Sequence, residues 1–109
     1  TMHEGPAVYF VMDKIINSDE NIILYIGETI SAEKRWKGEH DCKNYLSNYS
    51  ETLQKAHIRS KLNIRFWLDV PSETKERRKL EQKLIQTWLP PFNKETRRIW
   101  ATPFTSQIN

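Results

Sequence analysis

The chain has 109 residues, of which 38% are hydrophobic and 28% are charged, values typical of one compact globular domain and too apolar for a disordered chain. Its single cysteine, Cys42, excludes an internal disulfide and a cysteine-rich zinc site, and favours a reducing, cytoplasmic location. No apolar run approaches the ~20 residues that a membrane-spanning helix needs, and the first residues do not resemble a signal peptide, so we expect no membrane partner.

The net charge of +3 is unevenly distributed along the chain. Residues 1–30 carry one base and five acids, a net charge of −4, whereas residues 31–109 carry sixteen bases and nine acids, a net charge of +7. A basic surface suits a polyanionic partner, because each neutralised phosphate releases condensed counterions. Many basic proteins never bind nucleic acid, and charge alone therefore does not decide the partner.

The N-terminal half predicts a β-hairpin followed by a helix. Residues 1–6 form an expected extension, in which Thr1 precedes Met2 and is interpreted as a tag remnant. Residues 7–12 and 22–26 are short apolar runs rich in β-branched and aromatic side chains, with a polar turn between them. From residue 31 to about residue 42 the pattern becomes helical, with Ser31 as the expected N-cap.

The next segment contains a polar stretch and a weaker helix. Residues 43–50 are polar except for three expected anchors, Tyr45, Leu46 and Tyr49, and residues 51–62 predict a second helix. Residues 64–70 alternate in polarity between Asn63 and Pro71, which predicts a third strand.

The C-terminal part predicts a longer helix over residues 72–89. Ser72 is its expected N-cap, and Pro90 and Pro91 end it. The tail, residues 94–109, is expected to be irregular and to pack through Trp100 or Phe104. The resulting order, β-β-α-α-β-α, predicts an α+β fold in which about three helices flank a small three-stranded sheet.

Glu81 interrupts the apolar stripe of the last predicted helix. Three side chains at helical spacing define that stripe: Leu84, Ile85 and Trp88. Glu81 lies three, four and seven residues before them, where an unpaired charge is unfavourable. It either pairs with Arg77 and Arg78, one turn earlier, or serves as a fixed ligand for a hard divalent cation.

Two tyrosines and an arginine are further candidates for chemistry. Tyr9 and Tyr25 lie in the two predicted hairpin strands, where tyrosine is usually a packing residue. A nearby cation would allow such a hydroxyl to take part in proton transfer. Arg35 is a candidate for that cation and for a phosphate clamp, although an isolated arginine on a helix is most often solvated.

Taken in order, these residues resemble the GIY-YIG nuclease superfamily, in the form of a stand-alone catalytic domain. Ala7-Val8-Tyr9 and Tyr25-Ile26-Gly27 stand where the family carries its two name-giving tripeptides. Residues 33–37 resemble its first helix with a catalytic arginine, and residues 81–93 resemble its metal-binding glutamate and terminal asparagine. The resemblance covers residues 7–93 and implies a three-stranded antiparallel sheet flanked by helices.

The resemblance also implies a role for each matching residue. One of Tyr9 and Tyr25 would orient or deprotonate the attacking water; Tyr9 is favoured for that role and Tyr25 for orienting the phosphate, but the order of the two stays open. Arg35 would contact the scissile phosphate. Glu81 would hold one Mg²⁺ or Mn²⁺ ion. Asn93 would fix the geometry near the metal and the substrate. The implied activity is phosphodiester hydrolysis, with DNA favoured over RNA.

The sequence departs from the family pattern at several positions. Ala7 replaces the first glycine, which is tolerable only in ordinary strand conformation. Glu28 stands where repair-type relatives carry a lysine. His40 follows Arg35 by five residues rather than four, and His57 resembles a histidine of the intron-homing branch; each is either catalytic or simply an exposed or capping side chain.

The partner is expected to be a nucleic acid. Four basic residues around the predicted helices are candidates for substrate binding: Lys34, Lys37, Arg59 and Lys61. With no appended DNA-reading motif in this sequence, specificity would come from a homodimer, a recognition partner or a DNA structure. The alternative function is a non-catalytic nucleic-acid-binding module with the same fold, and a protein-interaction domain would leave the basic half unexplained.

Overall fold

The computed structural model describes residues 4–16, 19–37 and 43–105. The strands and helices in chain order are β1 (Ala7–Ile15), β2 (Asn21–Thr29), α1 (Ala32–Lys37), α2 (Lys43–Lys55), β3 (Ser60–Trp67), α3 (Thr74–Trp88) and α4 (Arg97–Trp100). The three strands form one antiparallel sheet in the order β2-β1-β3. The predicted α+β fold with a three-stranded antiparallel sheet is therefore confirmed.

The central strand β1 contributes to a separate core on each face of the sheet. Successive side chains of a strand point to opposite faces. Tyr9 and Val11 pack in one cluster with α2 and the segment after α3, whereas Val8 packs in another with Ile26 and with Ile85 of α3. The sheet thus lies between α3 on one face and α2 with the C-terminal segment on the other.

A β-bulge interrupts the pairing of β1 with β2. Val11 pairs with Tyr25 and Met12 pairs with Ile23, so Leu24 has no partner across the strands. Leu24 and Tyr25 consequently lie in the same core cluster although they are consecutive in the chain. A bulge changes the direction of side chains in this way, and here it brings Leu24 onto the same face of the sheet as Tyr25.

The second helix begins earlier than predicted. The polar stretch 43–50, which was not included in the predicted helix, forms the first two turns of α2, and the helix predicted over residues 51–62 ends at Lys55. Tyr45, Leu46 and Tyr49 all pack against the same core cluster, because their spacing places them on one helical face. The first predicted helix begins as expected, but residues 38–42 of its range lie outside the described residues.

The predicted strand and helix after α2 are also shifted. The third strand occupies Ser60–Trp67 rather than residues 64–70. Helix α3 has its N-cap at Glu73, not Ser72, with no side-chain capping bond. Trp88 does not belong to the buried stripe, since it is 58% exposed. The buried segment 90–93 enters the core beyond the helix end, after Leu89 adopts a left-handed conformation.

The tail predicted to be irregular contains the short helix α4. Of its two expected anchors, Phe104 packs against Phe92 and Tyr49 with ring centroids 6.1 and 5.6 Å apart. Trp100 is 53% exposed, and its indole N–H donates to the Leu89 carbonyl at the end of α3. Phe104 therefore anchors the tail in the core, whereas Trp100 caps a helix end.

Candidate active site

The two tyrosines of the hairpin lie side by side, and a glycine makes room for one of them. The ring centroids of Tyr9 and Tyr25 are 6.1 Å apart, and Tyr9 pairs with Gly27 across the strands. A Cβ atom at position 27 would lie 2.3 Å from Tyr9 Cζ and 2.4 Å from its hydroxyl oxygen. Gly27 is therefore required by the close approach of the Tyr9 ring and not by an unusual backbone angle. At the other tripeptide, Ala7 is an ordinary strand residue, as its replacement of glycine requires.

Helix α1 carries Arg35 to the tyrosine pair. The turn before it is closed by Thr29, whose hydroxyl accepts the Ser31 N–H and donates to the Ser31 carbonyl. Ser31 Oγ in turn accepts the Lys34 N–H at 3.4 Å, in agreement with its predicted capping role. The guanidinium carbon of Arg35 lies 5.5 Å from the centroid of the Tyr9 ring. A fixed positive charge thus stands beside the phenol.

Asn93 binds the open edge of β2. Its amide oxygen accepts the Ile26 N–H at 2.9 Å, and its amide nitrogen donates to the Ile26 carbonyl at 2.8 Å. Phe92 N–H adds a bond to the Leu24 carbonyl at 3.0 Å. Backbone groups on the open edge of β2 are therefore hydrogen-bonded. The same bonds hold the segment after α3 against Leu24 and Ile26, the two residues that flank Tyr25.

Glu81 projects from α3 into the same region, partly buried. Burial raises the pKa of its carboxyl above the ordinary value, and the carboxylates of Glu28 and Glu95 raise it further, while hydrogen bonds from Gln82 and from the Glu28 backbone act in the opposite direction. One amide group, that of Gln82, donates both to Glu81 at 3.2 Å and to Glu95 at 2.6 Å. A cation beside Glu81 would offset the repulsion among these carboxylates.

The arginines that the sequence offered as partners for Glu81 bind a different carboxylate. Arg77 donates to Glu28 at 2.8 Å and Arg78 donates to its other oxygen at 3.4 Å. Arg77 makes three further bonds, to the carbonyl oxygens of Pro71 and Ser72 and to the Thr74 hydroxyl. The proposed pairing of Arg77 and Arg78 with Glu81 is wrong, because Glu28 reaches them from β2.

Two cations of the C-terminal segment were missed by the sequence interpretation. Arg97 donates to the Tyr45 hydroxyl at 2.8 Å, and its guanidinium carbon lies 5.8 Å from the centroid of that ring. Lys94 is exposed and follows Asn93 directly. The only signal in the sequence was the density of bases after Asn93, in a stretch whose polarity suggested an irregular tail.

The two tyrosines and the polar residues around them line one cleft of about 550 Å³. Five of the predicted residues line it: Tyr9, Tyr25, Arg35, Glu81 and Asn93. Its charged lining consists of four cations, Arg35, Arg78, Lys94 and Arg97, and three acids, Glu28, Glu81 and Glu95. Cations and a partly desolvated carboxylate on shared walls suit a ligand that is an anion and carries a divalent cation with it.

A comparison with protein families gives one match. The family model described as the GIY-YIG catalytic domain matches residues 6–96. The chain belongs to the GIY-YIG family. The family is one of nucleases, and the ordered set of residues that pointed to it lies within the matched range. No curated protein and no solved structure matches the chain.

Three predicted residues of this GIY-YIG domain line a different cleft, with His57, Arg59 and Lys61 on its wall. Lys61 pairs with Lys14, five residues along β1 from Tyr9, a separation of roughly 17 Å. His57 has a φ of 60°; its N–H donates to Gln54 and the next N–H donates to Leu53. These bonds form a Schellman motif, so His57 terminates α2.

The remaining predicted residues belong to α1 or follow it. Lys34 is exposed on α1 and does not line the tyrosine cleft. Lys37 is the last residue of the helix. His40 lies outside the described residues, and its proposed role therefore stays a prediction.

The donor set of the cleft fits one hard divalent cation with few protein ligands. Within the described ranges, no group of three or more His, Cys, Asp and Glu side chains could hold a metal ion. Mg²⁺ is commonly bound by one or two carboxylates together with water and substrate phosphate oxygens. The Glu81 carboxylate is partly buried and lies near the carboxylates of Glu28 and Glu95. It is therefore suited to be that single protein ligand.

Among the residues that the structure describes, no helix has both the length and the apolar character that crossing a membrane requires.

Proposed function

We propose that this chain is an endonuclease that hydrolyses phosphodiester bonds in DNA with one divalent cation, Mg²⁺ or Mn²⁺. The observation that carries the proposal is the convergence of five side chains from five segments on one cleft: Tyr9, Tyr25, Arg35, Glu81 and Asn93. Packing alone gives no reason for an arginine and a partly desolvated carboxylate to share the walls of a cleft with two tyrosines.

The reaction joins a water oxygen to the scissile phosphorus and releases the sugar oxygen. Tyr9 would orient the water and accept its proton, because the Arg35 charge beside its ring favours a negative phenol oxygen. Tyr25 would orient the phosphate. Glu81 would hold the divalent cation, which when bound polarises the phosphate and stabilises the leaving oxygen.

Arg35 and Asn93 would complete the site in different ways. Arg35 would contact the scissile phosphate and offset the charge that grows on it in the transition state. Asn93 would act as a positioning residue, because its two bonds to Ile26 hold the strand next to Tyr25. Its contribution is to keep the cleft walls in one arrangement before the substrate arrives.

A cleavage assay tests the proposal most directly. Plasmid, single-stranded, flapped and branched DNA, and a matched RNA, are incubated with the protein in Mg²⁺ and in Mn²⁺. We expect metal-dependent cleavage of DNA that Glu81→Gln abolishes. The control is Glu76→Gln, on the same helix, whose carboxylate pairs with Lys79 in solvent. Metal-independent cleavage, or full activity in Glu81→Gln, would contradict the proposed role of Glu81.

Thermal unfolding separates an active-site failure from an absent metal site. A ligand that binds only the native state raises stability, by about 2.7 kcal/mol at a hundredfold excess over its Kd. We therefore expect Mn²⁺ to raise the Tm of the parental protein and not that of Glu81→Gln. DNA binding without cleavage and without a metal-induced shift would instead identify a non-catalytic nucleic-acid-binding module.

A further inference from the structure

The cleft contains two arginines that are each placed against a tyrosine, on different walls. Arg35 of α1 lies over Tyr9 of β1, and Arg97 of α4 lies over Tyr45 of α2. Only the first of these pairs has a part in the proposed chemistry. The second pair lies in the same cleft and therefore needs its own explanation.

Arg97 differs from an arginine that serves the fold. The side chain of Arg77, which is 1% exposed, donates four hydrogen bonds, one of them to the Glu28 carboxylate. Arg97 is partly exposed and, within the part of the chain that the structure describes, its guanidinium donates one hydrogen bond, to the neutral hydroxyl of Tyr45. Since a guanidinium has five N–H donors, this bond orients the group and leaves donors for a ligand.

The local charge favours an anion beside Arg97. Lys94, three residues before Arg97, lines the same cleft. Among the described residues, it has no ion pair. The nearest acid in the chain, Glu95, accepts a short bond from Gln82, and Glu28 is held by Arg77 and Arg78. Among the described residues, neither Lys94 nor Arg97 forms an ion pair with any of the three acids of the cleft, Glu28, Glu81 and Glu95.

We propose that Arg97 and Lys94 form a second phosphate subsite, which holds a backbone phosphate flanking the scissile one. The proposal rests on the proposed nuclease function and extends it to the size of the substrate. The planar guanidinium, oriented by Tyr45, can donate two parallel hydrogen bonds to phosphate oxygens. Lys94 adds a point charge. The substrate that fits is a polynucleotide strand that extends past the cleaved bond.

The test is the salt dependence of DNA binding without metal. A short DNA duplex is titrated with the parental protein, Arg97→Gln, Lys94→Gln and the control Arg98→Gln in EDTA over a range of salt concentrations. Each lost phosphate contact lowers the slope of log K against log salt by about 0.9 and weakens binding roughly tenfold at about 50 mM salt. We expect this change for Arg97→Gln and Lys94→Gln, and none for Arg98, an exposed neighbour that does not line the cleft.

Two outcomes separate the subsite from the nuclease function. Equal slopes for Arg97→Gln and Arg98→Gln, with parental DNA cleavage intact, would overturn the subsite and leave the nuclease proposal standing. If Arg97→Gln lowers the slope but the parental protein never cleaves DNA, the phosphate subsite would stand and the nuclease proposal would be overturned. Lys94→Gln keeps the test valid if Arg97→Gln unfolds, because Lys94 is exposed and makes no described side-chain bond.

Discussion

At the scale of single residues, Glu81 occupies a position that disfavours its own charge. Burial and the carboxylates of Glu28 and Glu95 raise the pKa of its carboxyl above the ordinary value. A carboxyl whose pKa is higher in the folded than in the unfolded state contributes to the free energy of unfolding below its unfolded-state pKa. That contribution is lost as the pH rises through the folded-state pKa. At neutral pH, the ionised group therefore destabilises the metal-free fold.

Replacing Glu81 by glutamine should consequently raise the Tm of the metal-free protein at neutral pH. The gain should shrink as the pH falls and vanish below about pH 4, where the carboxyl is protonated in both states. Thermal unfolding in EDTA across this range measures it. Glu76→Gln, on the same helix in contact with Lys79, should give no such gain, and an unchanged or lower Tm for Glu81→Gln at neutral pH would contradict the expectation.

Gly27 gives a second prediction at this scale. A methyl group there would overlap the Tyr9 ring, and overpacking of this kind typically lowers the free energy of unfolding by about 1–3 kcal/mol. We expect Gly27→Ala to show that loss in urea unfolding. In a Tyr9→Ala background the obstructing ring is gone, so the same change should be nearly neutral. Equal losses in the two backgrounds would show that the ring is not the obstacle.

At the scale of elements, Arg77 joins the start of α3 to the end of β2. Its guanidinium bonds Glu28 on the strand and two carbonyl groups of the loop that leads into the helix. Glu28 follows Gly27, and Glu81 lies one turn of α3 beyond Arg77. The pair therefore helps to set how the Glu81 carboxylate lies relative to the tyrosines.

Arg77→Met, which keeps the apolar stem and removes the charge, should lower the free energy of unfolding by roughly 3–5 kcal/mol, because it leaves a largely buried carboxylate without its main partner. Arg78→Met is the matched control. Arg78 bonds the same carboxylate but its side chain is 69% exposed, and such pairs contribute about 1 kcal/mol or less. Urea unfolding of both variants gives the comparison, and similar losses would mean that burial of Arg77 does not matter.

The elements differ in how far the sequence could predict them. The hairpin and α3 were identifiable because their apolar periodicity is strong. Helix α2 was placed too late, since its apolar face depends on Tyr45, Leu46 and Tyr49 within a polar stretch. The bulge at Leu24 left no sequence signal, because it depends on strand register.

The candidate site shows the same division. The five cleft residues found through the family resemblance come from short local motifs that stand in the expected order along the chain. The contacts of Arg77 with Glu28 and of Arg97 with Tyr45 join residues 49 and 52 positions apart. Such partners are chosen by tertiary packing, and a single sequence offers no periodicity or spacing that would reveal them.

At the scale of the whole molecule, one polar contact joins the helical layer of α2 to the central strand. The Tyr49 hydroxyl donates to Asp13 Oδ2 at 2.5 Å, and Asp13 is fully buried. Among the described residues, its other oxygen, Oδ1, has no partner. Burial and the Asp13 carboxyl raise the pKa of Tyr49 above its ordinary value, so the hydroxyl keeps its proton and remains a donor.

Tyr49→Phe should lower the free energy of unfolding by roughly 1.5–3 kcal/mol, the usual contribution of a hydrogen bond to a charged group, since the buried carboxyl would lose its described donor. Adding Asp13→Leu should recover much of the loss, because replacing both partners by apolar groups can be nearly neutral. Urea unfolding of the two single variants and the double variant measures the coupling. Tyr45→Phe, one turn earlier on α2, removes a bond to the partly exposed Arg97 and should be less destabilising. A Tyr49→Phe variant that unfolds at the parental urea concentration would show that this contact does not hold the two layers together.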